Sequence, residues 1–273
     1  QRKPMRNLSI EEATQYFKEL LTDQLDRVSN LSNQSDWVDY TQKKPLTIGI
    51  CWGDGIGESI SNQAERVLRH VLSDEISSGR IVIHQIKGLT IENRAKHNAA
   101  IPADVLAELK SCDVILKGPT TTPQKGDGWP NIESANVAMR RELDLFACVR
   151  PVKVPEKNID WAFFRENTEG AYMLGSKGID MDGMSVDFKI ISDPGAERII
   201  RLAFEYAKKN KKKKVTVVTK SNVVKSTDGR FSEMAMTIAK EYASDGIECD
   251  EWYIDIMTAK LIDEKRQSEF EVF

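Results

Sequence analysis

From residue 46 onward, short apolar runs alternate with amphipathic stretches, and this alternation narrows the possible folds more than any other feature. LTIGIC (46–51), RIVIHQI (80–86) and DVILKG (113–118) are short apolar runs, so each is expected to be a strand, LTIGIC a buried one. Helical patterns at 58–72 and 102–110 separate them. Strands joined through helices run parallel, so the chain is expected to be α/β around a parallel sheet. The alternation continues with a short helix near 137–143, then strands DLFACVRPVKV (144–154) and WAFFRE (161–166). Residues 175–191 predict a hairpin turning at Asp182-Gly183. A strong helix at 196–210 follows, then strands VTVVTK (215–220), IECDEWYID (247–255) and EFEVF (269–273) with helices between them.

Residues 9–28 carry a different pattern. Ser9 and Glu12 have capping-box spacing, and Ile10, Ala13, Tyr16, Phe17, Leu20, Leu21 and Leu25 recur at helical intervals. Residues 29–44 are polar and predict a linker. The final strand breaks off at Phe273, where a compact domain would be expected to continue, so the sequence is expected to be a piece of a longer chain.

Composition limits the chemistry. A formal net charge of −3 over 273 residues gives no bulk attraction to nucleic acid. The basic run KKNKKKK (208–214) has no interleaved aromatics and is expected to be a solvated turn. No apolar run reaches the ~18 residues that crossing a bilayer needs. Cys51, Cys112, Cys148 and Cys249 show no CxxC spacing, which predicts reduced, buried thiols in a cytoplasmic or mitochondrial-matrix setting. His70, His84 and His97 have no zinc-ligand spacing. Acid–base chemistry here falls to Lys, Tyr, Asp or Glu.

Residues 131–151, NIESANVAMRRELDLFACVRP, gather Ser134, Asn136, Arg140, Arg141 and Arg150. Arginine forks match carboxylates, and a helix start near Ser134 adds N–H donors for an anion. An N-cap followed by structural ion pairs would give the same pattern, and spacing alone leaves both open. Arg165 and Tyr172 lie in FRENTEGAY (164–172). Lys220 ends an apolar strand, where desolvation suits proton transfer, or where a lysine simply emerges into water. Asp255 is expected at a strand end, as a Mg²⁺ ligand or a helix cap.

Taken together and in order, GDGIG (53–57), KGPTTTP (117–123), SANVAMRRELDLFACVRP (134–151), RENTEGAY (165–172), KSNVVKSTDG (220–229) and YIDIMTAKL (253–261) resemble the isocitrate/isopropylmalate dehydrogenases. The resemblance starts near residue 46. It implies a larger α/β domain beginning at 46–145, a smaller α/β domain at 146–273 with an intersubunit clasp near 173–190, and residues 1–45 as a separate helix and linker. SxNxxxR followed by RP resembles the isocitrate branch. On that branch Ser134, Asn136, Arg140, Arg150 and Arg165 bind substrate, and Arg141 lies outside this clamp and is solvated. The resemblance makes Tyr172 a proton donor, Lys220 an aid to deprotonation and Asp255 a ligand of Mg²⁺ or Mn²⁺. Lys117, Thr121, Thr122 and Asn136 would border the nicotinamide of NAD or NADP. GDGIG lacks GxGxxG spacing, in keeping with a cofactor mode that is not Rossmann.

The implied reaction is the oxidative decarboxylation of isocitrate to 2-oxoglutarate, a step of the tricarboxylic acid cycle. It would take place in a homodimer with shared active sites or in a heteromeric equivalent. The alternatives are a homoisocitrate or 3-isopropylmalate dehydrogenase, or a non-catalytic regulatory subunit. Cys51-Trp52 and Glu58 depart from the family's usual apolar and proline residues. A GD-I-SD segment with two further metal carboxylates and an HGSAP-like adenosine loop are absent, so the 273 residues alone are expected to lack dehydrogenase activity.

Overall fold

The computed structural model describes residues 5–6, 8–32, 38–124, 126–174 and 177–273. The chain divides into two compact units, Ser35–Asp144 and a second made of Gln1–Gln34 with Leu145–Phe273. Strand β1 (Met5–Arg6) and helix α1 (Ile10–Ser32) open the chain. The capping box forms: the Ser9 N–H donates to Glu12 at 2.9 Å and the Glu12 N–H to the Ser9 hydroxyl at 3.2 Å. Helix α1 continues to Ser32, so the expected linker begins later than residue 29. Its residues 33–37 lie outside the described residues.

The unit Ser35–Asp144 contains β2 (Leu46–Cys51), α2 (Gly57–Val71), α3 (Ser73–Ser77), β3 (Ile81–Ile86), α4 (Ile91–Lys96), α5 (Ala103–Ser111), β4 (Val114–Lys117) and α6 (Ala135–Glu142). The strands form a parallel sheet in the order β3-β2-β4, and parallel neighbours need crossover connections, which the helices between them supply. Cys51, Ile86 and Leu89 from the sheet side pack with Val105 and Leu109 of α5 and with Ala135 and Met139 of α6. Backbone meets backbone after β2 and β4. A Cβ on Gly53, whose φ is +73°, would fall 1.9 Å from the Pro119 carbonyl oxygen, and one on Gly118 2.1 Å from that of Trp52. Only glycine permits that approach.

The second unit adds β5 (Ala147–Val154), β6 (Ile159–Glu166), β7 (Ile179–Met181), β8 (Met184–Val186), α7 (Asp193–Lys209), β9 (Lys214–Thr219), α8 (Thr227–Ala239), β10 (Glu248–Tyr253) and α9 (Ile254–Ile262). Strands β5 and β6 are antiparallel and β9 and β10 parallel. Residues 271–273 join the two pairs. The Ala162 N–H donates to the Glu271 carbonyl at 2.9 Å and the Thr216 N–H to that of Val272 at 2.8 Å. Of the expected EFEVF strand, only Val272 makes strand-like bridges, to Ala162 and Val215, because Gln267–Glu269 form a 3₁₀ turn.

One face of this sheet places Val215 and Val217 against Ile199, Ala203 and Phe204 of α7 and Ala235 and Ile238 of α8. A fully buried phenylalanine such as Phe204 is worth roughly 1.5–3 kcal/mol of transfer free energy. The other face collects Trp161, Phe163, Val218, Trp252, Phe270 and Met257 of α9. A third core lies under α1, where Tyr16 and Leu20 meet Leu174 and Ile179. The β7–β8 hairpin turns at the predicted Asp182-Gly183, with Gly183 at φ +72°, and β1 runs parallel to β7. Residues 175–176 of the expected hairpin segment lie outside the described residues.

Three expectations need correction. Asp255 does not end a strand: β10 stops at Tyr253 and Asp255 is in the first turn of α9. The basic run is not simply solvated, since Lys208 pairs with Asp245 at 3.0 Å, Lys212 with Asp160 at 2.7 Å and Lys214 with Asp250 at 2.7 Å. All four cysteines are free as expected, but only Cys51 is fully buried.

Candidate active site

In the unit Ser35–Asp144 the candidate side chains line two loops held by buried charge. Asp54, in the GDGIG turn, accepts the Ile91 N–H with one oxygen and the Thr121 N–H with the other, each at 2.6 Å. Arg94, wholly inaccessible to solvent, donates to the carbonyls of Ala100 at 2.8 Å, Thr121 at 2.7 Å and Glu133 at 2.9 Å. Its guanidinium therefore ties the loop after β4 to the residue just before Ser134. Burial lowers the Arg94 pKa, and the Asp54 carboxylate opposes that shift.

Lys117 ends β4, and its ammonium donates to the Gly118 carbonyl at 2.8 Å and the Thr120 hydroxyl at 3.0 Å. Burial lowers its pKa, partly offset by Cys51 and Asp54. Burial also pushes the Cys51 thiol up to about 11, so this cysteine is an inert neutral thiol at ordinary pH. The Thr120 hydroxyl lies 3.4 Å from Asn136 Oδ1, and the Thr122 hydroxyl donates to that of Ser134 at 3.3 Å. Lys117, Thr120 and Asn136 thus form one chain of contacts and Thr122 with Ser134 a second, while Thr121 is held through its backbone by Asp54 and Arg94. Ser134 occupies the N-cap position of α6 without capping it through its side chain, so the helix-cap explanation for this serine does not hold.

Arg140 and Arg141 are adjacent and differ. Arg141 makes two bonds to Glu133, at 2.8 and 3.1 Å, and one to Glu142 at 3.3 Å. The Glu133 hydrogen bond raises its pKa. The expectation that Arg141 is merely solvated is therefore corrected. Arg140, partly buried on α6, has no hydrogen-bond or carboxylate partner among the described residues.

In the second unit, β5 and β6 set Arg150 opposite Phe163 and Cys148 opposite Arg165. Directly opposed residues share a face, and so do residues two apart, so Arg150 and Arg165 are diagonal neighbours on one face. Arg150 is exposed and has no hydrogen-bond or carboxylate partner among the described residues. Arg165 donates to Asn167 Oδ1 at 3.2 Å, and its guanidinium lies 5.5 Å from the ring centre of Tyr172, within cation–π range. Tyr172 is 46% exposed.

Lys220 follows β9. Its N–H donates to Asp228 Oδ2 at 2.8 Å, and Asp228 is paired with Lys189 as well. The Lys220 ammonium meets Asp255 Oδ1 at 2.7 Å. That hydrogen bond is the main cause holding the exposed Asp255 carboxyl below its ordinary 3.8. No group of three or more His, Cys, Asp or Glu among the described residues could hold a metal. No helix among them is long and apolar enough to cross a membrane.

Sequence reasoning assigned no role to Asp54, Arg94 or Glu169. Asp54 was visible only as the acid inside a glycine turn. Arg94 stands in IENRAK, an ordinary polar helix whose pattern says nothing of a fully buried guanidinium.

A family model described as isocitrate/isopropylmalate dehydrogenase matches residues 47–273. The homoisocitrate dehydrogenase of Methanocaldococcus jannaschii is 34% identical over 83% of this chain and 65% of its own length. The NADP isocitrate dehydrogenase of Rickettsia prowazekii is 36% identical over 80% of this chain and 43% of its own. The mitochondrial regulatory subunit 3 of NAD isocitrate dehydrogenase from Arabidopsis thaliana is 34% identical over 82% and 57%. The chain thus spans less than two thirds of the curated relatives it matches. Among solved structures, an isocitrate dehydrogenase from Methylococcus capsulatus superposes with a TM-score of 0.66 at 31% identity, covering 83% of this chain and 65% of that one. A β-decarboxylating dehydrogenase from Thermococcus kodakarensis gives 0.63 at 28%, covering 83% and 63%.

Proposed function

Because the chain belongs to the isocitrate/isopropylmalate dehydrogenase family, we propose that it serves in the oxidative decarboxylation of isocitrate to 2-oxoglutarate. One observation carries this choice. Of the arginines singled out between residues 131 and 165, Arg141 is occupied by Glu133, while Arg140, Arg150 and Arg165 have no carboxylate partner among the described residues. Unpaired guanidinium groups suit a polycarboxylate ligand, which supplies the missing anions.

Arg140, Arg150 and Arg165 hold the carboxylates, and Ser134 and Asn136 add neutral hydrogen bonds. Lys117, Thr121, Thr122 and Asn136 border the nicotinamide of NAD or NADP, and Asp255 is one ligand of Mg²⁺ or Mn²⁺. A nicotinamide bound there would supply the hydride acceptor, and a divalent cation held by Asp255 would supply Lewis-acid polarisation of the substrate alcohol. Lys220 assists loss of the hydroxyl proton. After CO₂ leaves, Tyr172 returns a proton to the enol carbon. Lys220 and Asp255 are bonded to each other, so they move as one piece. In a homodimer with shared active sites, as the family resemblance implies, a second copy would therefore supply both together, with the β7–β8 hairpin as the clasp.

The test is a substrate panel on the protein at its natural length, with Mg²⁺ and either NAD or NADP. Isocitrate should give the highest kcat/KM. A clear preference for homoisocitrate would move the assignment to the second reading, which the Methanocaldococcus relative favours; a preference for an alkylmalate would refute both. A regulatory role, suggested by the Arabidopsis relative, is disfavoured because Tyr172, Lys220 and Asp255 are all present.

A further inference from the structure

Helix α1 lies outside residues 47–273 that match the family, yet it is bonded into the segment that carries Arg165 and Tyr172. It buries Tyr16, Leu20 and Gln24, four residues apart on one face. The Tyr16 hydroxyl donates to the Lys177 carbonyl at 3.3 Å, and Phe17 stacks on Phe188 with ring centres 5.2 Å apart. Further along the helix, Arg27 donates to Glu169 Oε1 at 2.7 Å and to Gln24 Oε1 at 3.0 Å. The Glu169 side chain has 0% solvent exposure. It also accepts the Ser192 N–H at 2.9 Å and the Ser192 hydroxyl, and Ser192 is the N-cap of α7.

A carboxylate removed from water keeps its charge only with partners of this kind. The backbone of Glu169 matters equally. Its carbonyl accepts the Tyr172 N–H at 3.3 Å. The next residue, Gly170, sits at φ +67° and exchanges both backbone bonds with Ile190, at 2.7 and 3.1 Å. The turn that presents Tyr172 is therefore pinned at Glu169, and Arg27 supplies a charged donor at that pin.

We propose that Arg27 is a positioning residue: acting through Glu169, it fixes the turn bearing Tyr172 and, through the ring contact, the Arg165 guanidinium. Helix α1 thereby sets the alignment of the proton donor. The catalytic consequence rests on the role given to Tyr172 above; the hold on the turn does not.

The test uses the protein at its natural length with Arg27→Met, Arg27→Lys, Glu169→Gln and the double variant Arg27→Met/Glu169→Gln. Amide hydrogen exchange across residues 168–174 should quicken about tenfold in Arg27→Met and return most of the way in Arg27→Lys. With isocitrate, kcat per folded molecule should fall about tenfold while KM changes by less than about threefold. In the Glu169→Gln background, loss of Arg27 should add under about threefold, because the two side chains act as one unit. Unchanged exchange at 168–174 in Arg27→Met would overturn the proposal. So would an unchanged kcat accompanied only by a lower Tm, which would make α1 a packing element. If the unaltered protein does not turn over isocitrate, the proposed substrate falls, and the exchange rates with their rescue by lysine still decide whether Arg27 holds the turn.

Discussion

The two units hold their candidate side chains by different means. In Ser35–Asp144, Asp54 and Arg94 grip loop backbone from inside, so Lys117, Thr122, Ser134 and Asn136 sit on a frame fixed before any ligand arrives. In the unit containing Leu145–Phe273, the sheet supplies the frame, with Arg150 and Arg165 on one face of β5–β6 and Lys220 and Asp255 just past the ends of β9 and β10. Arg150 is exposed and unpaired, and Lys220 and Asp255 hold each other. The first arrangement stores its charge in the scaffold, where removal costs stability. Apart from the buried Glu169 beneath Tyr172, the second leaves the charges of Arg150, Lys220 and Asp255 at or near the surface, where removal costs ligand affinity or turnover.

The most severe test of that contrast is Lys220→Met. It should lower kcat by on the order of 10²–10⁴-fold, the usual share of a positioned acid–base group, with little change in Tm. Turnover within about threefold of the unaltered protein would remove Lys220 from the chemistry. Arg94→Met should behave oppositely. It strands the Ala100, Thr121 and Glu133 carbonyls and leaves Asp54 less compensated. The expected loss is about 3–5 kcal/mol of unfolding free energy in a denaturant titration. A loss under about 1 kcal/mol would show that the buried guanidinium is not what fixes the loop.

Arg150→Ala should weaken isocitrate binding by about 2–5 kcal/mol in a calorimetric titration, with stability nearly untouched. Its counterpart is Arg141→Ala, which loses a partly exposed pair with Glu133. That change should leave isocitrate affinity intact and cost at most about 1 kcal/mol of stability. Equal effects of the two on affinity would erase the distinction between a paired and an unpaired arginine.

The smallest effect concerns Asp255. The Lys220 hydrogen bond depresses its pKa, so the contact contributes at pH above the unfolded carboxyl's range and is lost as pH falls through the folded midpoint. In Lys220→Met that midpoint, followed by carboxyl NMR, should rise toward 3.8. An unmoved midpoint would mean that Lys220 is not the cause.

The order of strands and helices was legible because apolar period and turn residues are local properties. LTIGIC is β2 residue for residue, and Asp182-Gly183 turns the hairpin. Where an element was misplaced, a neighbour in sequence competed. Asp255 continues an apolar run, yet α9 starts one residue before it. Partner choice was not legible. Nothing in the adjacent Arg140-Arg141 pair says which one Glu133 takes, because that depends on where the chain eight residues earlier has been folded.

The sequence by itself determined the family and the parallel α/β alternation, since both reside in the order and spacing of residue types. Tertiary structure alone decided that Arg94 is buried, that residues 271–273 join β6 to β9, and that Arg27 meets Glu169 from 142 positions away. Each of these depends on an unsatisfied donor or acceptor finding a partner across the fold, and the drive to pair buried polar groups carries no mark at either end of the bond until the chain has closed.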